Sequence, residues 1–114
     1  MENNLYFCDT TDEPNATDEA ILIPQSRVLG IYPGVVAGTT GDNMTMFFES
    51  LSNTGAARGS ILFAIANGKF NEAASDLVAA MNSTKGDGFV TIADVKNNIF
   101  CSDHITGITI DTEV

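Results

Sequence analysis

The sequence predicts a mainly β protein with one helix, of the α+β class: a small, strongly bent sheet or open barrel with the helix packed on it. Three observations carry this. Short runs rich in Val, Ile, Thr and Phe recur between Gly, Pro and Asn turn signals. One stretch, and one only, switches to a helical period. The chain has 114 residues and 44% hydrophobic content, enough for one core. A chain of this size buries about two-thirds of its unfolded surface.

Along the chain, the acidic segment 1–19 reads as a lead-in and 20–114 as a single β-rich domain. "LYFC" (5–8) reads as an edge strand that ties the terminus down. "CDTTDEPNATDEA" has no periodicity and reads as a loop; it lacks the alternating acids and central glycine of a calcium loop. In "AILIPQSRVLGIYPG", Pro24 removes a ladder donor and belongs at an edge or bend. "RVLGIY" is then a half-buried strand ended by Pro33 and Gly34. "VVAGTTGDN" marks a turn into "MTMFFESL", where Met44, Met46 and Phe48 share one face and Thr45, Phe47 and Glu49 the other. "SNTGAARGS" is a second loop, holding Arg58. The uninterrupted apolar run "ILFAIA" reads as a strand covered on both faces.

In "FNEAASDLVAAMNS" the apolar positions Phe70, Ala73 or Ala74, Leu77 and Met81 recur at helical spacing, with Glu72 and Asp76 opposite. Glu72 suits the N-terminal end of the helix dipole, and Lys85-Gly86 marks the exit. "GFVTIADV", "NIFCS" and "ITGITIDT" read as a three-stranded meander, connected at Lys96-Asn97-Asn98 and at Asp103-His104. Gly107 interrupts the last strand and marks a bulge or a close backbone approach.

Fifteen acids against five bases give a net charge of −10. Such a field repels phosphate backbones and anionic membrane surfaces, and the five bases are scattered. Five of the acids lie within residues 9–19, without a base among them. No apolar run approaches the length of a membrane span, and the N-terminus has neither the basic nor the apolar region of a signal peptide. A cytoplasmic setting follows, and two cysteines 93 positions apart read as free thiols.

"CSDHITGITI" alone brings Cys, Asp and His together. A zinc site needs four ligands, and here one Cys-x-x-His pair stands with only Cys8 as a further thiol. A Cys101–His104 nucleophile pair conflicts with the alternation in "NIFC", which turns Cys101 inward with Ile99. Phosphate-loop, dinucleotide, zincin and hydrolase motifs are absent, so no cofactor, metal or enzymatic activity is expected. Positive mean hydropathy (+0.09) beside this net charge points to apolar surface covered by other copies of the chain.

The combination of "SRVLGIYPG", "TMFFESL", the central helix and "GFVTIADVKNNIFCSDHITGITI" resembles a family of small cyanophage-type proteins from marine metagenomes with an Sm-like (LSm) fold. Ile105, Gly107 and Ile110 match the Ile-x-Gly-x-x-Ile shape of the second Sm motif, with Thr106 where the family carries a base. The resemblance implies a bent sheet that assembles into a homo-oligomeric ring by edge-strand pairing. It also implies RNA or single-stranded DNA bound at pore-side loops, here by His104 and Thr106 and more weakly by Asn97 and Asn98. The competing expectation is a virion structural or decoration protein without nucleic-acid binding.

Overall fold

Alternating burial organises the described residues into eight strands and one α-helix, seen in a computed structural model that describes residues 3–12, 14, 19–34, 43–49, 58–83 and 88–111. The strands are β1 (Asn4–Cys8), β2 (Ala20–Pro24), β3 (Val28–Pro33), β4 (Asn43–Glu49), β5 (Arg58–Ile65), β6 (Phe89–Asp94), β7 (Ile99–Phe100) and β8 (Ile105–Asp111), with helix α1 at Phe70–Met81. The mainly β class with one helix is therefore observed. The strands form two four-stranded sheets, in the orders β2-β1-β6-β7 and β3-β4-β5-β8, rather than one. No pairing among the described residues closes either sheet. No helix among them is long and apolar enough to cross a membrane.

One core joins the two sheets and the helix. Leu5, Phe7, Ile23, Val90 and Ile92 come from the first sheet, and Met44, Met46, Phe48, Ile61, Phe63 and Ile110 from the second. Ala73, Leu77 and Met81 of α1 complete it, the stripe expected from the helical period. Phe7 and Phe63 meet between the sheets, edge to face, with ring centroids 6.2 Å apart. Their steeply inclined setting suits the ring quadrupoles.

Several expectations are corrected. "LYFC" is no edge strand: β1 lies inside its sheet, antiparallel to β2 and parallel to β6. Its alternating Leu5 and Phe7 are fully buried, which an edge does not require. β5 is covered fully on one face and in part on the other: Ile61, Phe63 and Ile65 are buried, and on the second face Ser60 is buried, Leu62 half-buried and Ala64 exposed. Arg58, expected in a loop, opens β5 opposite Glu49. The meander is broken: β6 and β7 pair, but β8 crosses to the second sheet and pairs with β5. After Cys101, whose amide still bonds to the Ile92 carbonyl, Ser102 is held by Asp76 of α1, which carries the chain away from the first sheet. Of the loops expected over 35–43 and 52–60, residues 35–42 and 52–57 lie outside the described residues, as does the exit at Lys85-Gly86; Gly59 and Ser60, expected in the second loop, belong with Arg58 to β5.

Gly107 sits where the register of β8 against β5 shifts: Ile65 faces Ile105, but Ala64 faces Gly107. Thr106 is thus the extra residue of a bulge. Ile105 and Ile110 are five apart and would face opposite sides of a regular strand; the bulge puts both in the core. No close approach is involved, because a Cβ on Gly107 would meet nothing within 4 Å.

Long-range polar contacts lock this arrangement. The buried Asn3 donates through Nδ2 to the carbonyls of Met81 (2.9 Å) and Ser83 (2.7 Å), satisfying acceptors that the end of α1 leaves unpaired. Gln25, in the 3₁₀ turn Gln25–Arg27, donates its side chain to Asn82 Oδ1 and its amide to the Asn3 carbonyl. Asp9 Oδ2 accepts from the Ile110 amide at 3.0 Å, so this carboxylate occupies part of the free side of β8.

Candidate functional site

The crossover from β7 to β8 builds a concavity that gathers sequence-predicted site residues. After Phe100 the Cys101 amide donates to the Ile92 carbonyl (2.8 Å), and the chain then turns away from the first sheet. Ser102 is buried; its hydroxyl donates to Asp76 Oδ2 at 2.6 Å and accepts from the His104 amide at 3.1 Å. This is a serine turn pinned to the helix. The His104 carbonyl accepts from the Ala66 amide at 2.8 Å, which fixes the start of β8 against the end of β5. The turn expected at Asp103-His104 is present.

Between β7, this turn and the bulge lies an open groove of about 520 Å³, lined by Asn98, Ile99, Phe100, Ser102, Asp103, Ile105 and Thr106. That size is within the range of ligand sites. Of the four residues predicted from sequence, Asn98 and Thr106 converge here and the other two do not. Asn98 holds a left-handed backbone (φ 55°), which asparagine tolerates, and so turns the chain at the rim. Asn97 instead folds back onto Asp94, its amide and Nδ2 donating to the two carboxylate oxygens at 3.3 and 2.8 Å. His104 is half-buried and acts through its peptide group. Thr106, the bulge residue, donates its hydroxyl to the Ala64 carbonyl at 3.2 Å.

The chain matches no protein-family model, no curated protein and no solved structure.

Sequence reasoning weighs Asp103 only in the Cys-Asp-His cluster and as a turn residue, places Asp76 on the outer helix face, and passes over Ser102. Ser102 and Asp103 carry a recognisable signal, since Ser-Asp between two strands is turn chemistry. The Ser102–Asp76 contact spans 26 positions and leaves none.

Both cysteines are free, Cys8 buried and Cys101 half-buried. The expectation that Cys101 turns inward with Ile99 is corrected: Ile99 is half exposed, whereas Cys101 packs against the core. Burial, and then the charge of Asp76, pushes the Cys101 thiol up to about 11. It is thus protonated at neutral pH and a poor nucleophile. Among the described residues no group of three Cys, His, Asp or Glu side chains is placed to hold a metal.

The raised thiol has a consequence for alkaline stability. An unfolded cysteine ionises near pH 8.5, while the folded one stays neutral to about pH 11. The stabilisation is complete below the unfolded value and is lost as pH rises through the folded one. Unfolding free energy will fall by on the order of 1–2 kcal/mol between about pH 8.5 and 11, after allowance for partial exposure. Urea titrations of wild type and Cys101→Ala across that range check this; equal slopes for the two proteins refute it.

Proposed function

We propose that this chain is a self-associating β protein, a subunit of an Sm-like homo-oligomeric ring whose copies meet along the β2–β3 border. The supporting observation is the character of residues 20–33. They form the outer strand of each sheet in succession, joined by the 3₁₀ turn. They hold no acid on a chain of net charge −10, and their one charge, Arg27, lies 3.8 Å from Glu49. Three of the large exposed apolar side chains also lie here: Leu22 (46%), Leu29 (52%) and Tyr32 (48%). An acid-free border formed by the outer strands is where like-charged copies meet at least electrostatic cost.

Light scattering over a hundredfold concentration range tests the reading. The wild type is expected as an oligomer, and Leu29→Asp as a folded protein shifted at least about tenfold toward monomer by the desolvation of a charge. A wild type that stays monomeric throughout rejects it.

A second reading, binding of RNA or single-stranded DNA, draws on the convergence of Asn98 and Thr106 in one groove. Counterion release makes such binding strongly salt-dependent, so a complex with oligo-U that weakens steeply with salt supports it, and no shift at low salt rejects it. The absence of lysine and arginine from the described groove lining favours instead the structural or decoration role in a particle.

A further inference from the structure

The hydrogen-bonding capacity left open in the groove selects a ligand chemistry, and it differs from that of a phosphate backbone. Each polar side chain of the lining can be assigned. Ser102, buried, spends its proton on Asp76 and accepts from the His104 amide, and Thr106 spends its proton on the Ala64 carbonyl, so neither hydroxyl offers the groove a donor and Thr106 offers it an acceptor. Asp103, exposed at the turn, makes no hydrogen bond or ion pair with the described residues and contributes a carboxylate, an acceptor only. Asn98 alone brings donors, matched by its own acceptor. The remaining wall is apolar: Ile99, half exposed, with Phe100 and Ile105. Among the described residues no cation lines the site, and the whole chain carries a net charge of −10.

A site of acceptors, one free carboxylate and an apolar wall complements a group that donates hydrogen bonds, carries positive charge and has an aliphatic stem. Arginine and lysine side chains have that form. β7 is also the last strand of its sheet, so an extended segment can lie beside it while alternate side chains reach the groove. We propose that the groove between β7 and the β8 bulge receives a basic peptide segment of a partner protein, with an arginine or lysine on Asp103 and its stem, or an adjacent apolar residue, on Ile99 and Phe100. Charge complementarity selects this occupant over nucleic acid, whose phosphates would meet Asp103. The site does not depend on self-association of the chain.

Fluorescence anisotropy with the full chain and a labelled six-residue peptide of alternating arginine and leucine tests the proposal. Because any cation is drawn to so acidic a protein, the control is a like change of charge elsewhere: Asp12 is exposed and outside the groove. Asp103→Asn is expected to weaken binding about fivefold or more, the loss of a charge-assisted hydrogen bond, and Asp12→Asn to leave it nearly unchanged. Ile99→Ser is expected to weaken it as well, without a change of charge. Replacing the arginines by citrulline is expected to abolish binding. The proposal is overturned if the peptide does not bind, if Asp103→Asn and Asp12→Asn weaken it equally, or if oligo-U displaces it and binds more tightly.

Discussion

Replacing Phe63 by alanine will cost about 3–5 kcal/mol of unfolding free energy. Phe63 is fully buried on β5, between Met44 of β4 and Ile108 of β8 in the ladder. Its ring also reaches across to Phe7 on the other sheet. Truncation therefore opens a cavity where both sheets share one core, and neither can close it alone. Since domains of this size hold about 5–15 kcal/mol in total, the alanine variant will be marginal. Phe63→Leu and Phe7→Leu keep the experiment readable. Urea unfolding of the two singles and the double will give a coupling of about 0.5–1.5 kcal/mol, the usual worth of an edge-to-face pair beyond its buried area. Additive losses would mean that the rings do not communicate across the sheets.

The second large effect is expected at Gly59, and its cause is space rather than backbone conformation. A Cβ there would lie 2.5 Å from Cζ and 2.8 Å from Cε2 of Phe48, and 3.0 Å from the Asp111 carbonyl oxygen. Phe48 is 1% exposed and packed in the core, so its ring cannot swing away freely. Gly59→Ala will cost about 1–3 kcal/mol, as overpacking of a close-packed interior does. Gly107→Ala is the matched control, since its Cβ would enter open space. There the smaller entropy of the unfolded chain makes the change neutral or stabilising by up to about 1 kcal/mol. Paired denaturation curves that reverse this order would refute the packing around β5 and β8.

What can be read from the residues divides along the range of the interactions involved. The helix is legible because Ala73, Leu77 and Met81 obey a local period that burial imposes on any helix lying on a core. The tight turns at Asn97-Asn98 and Asp103-His104 are legible because asparagine, aspartate and serine carry turn chemistry in their own side chains. The interruption at Gly107 is legible too, although its cause is the Thr106 bulge beside it. Partnership is not legible. "NIFCS" and "ITGITI" are equally good strands whether paired with each other or placed in different sheets. The decision lies in Cys101 bonding to Ile92 and Ser102 to Asp76, contacts that no spacing announces. The interior place of β1 is hidden for the same reason, since a five-residue strand next to an acidic loop has an edge strand's composition. At the groove, Asn98 and Thr106 are named through the Sm-like resemblance, whereas Asp103, weighed with Cys101 and His104, is set aside because a turn aspartate has an ordinary explanation.

The parallel pairing of β1 with β6 bears on how the chain is made. Asn4 must find Phe89, 85 positions later, before β1 acquires its second neighbour. A ribosome adds about 5–20 residues per second, so a nascent β1 waits about 4–17 s for that strand. Until then the β1–β2 hairpin holds Leu5, Phe7 and Ile23 exposed to water and to other hairpins like itself. The five acids of residues 9–19, which emerge between the two strands of that same hairpin, give every such hairpin a like charge that opposes contact between neighbours while the core does not yet exist.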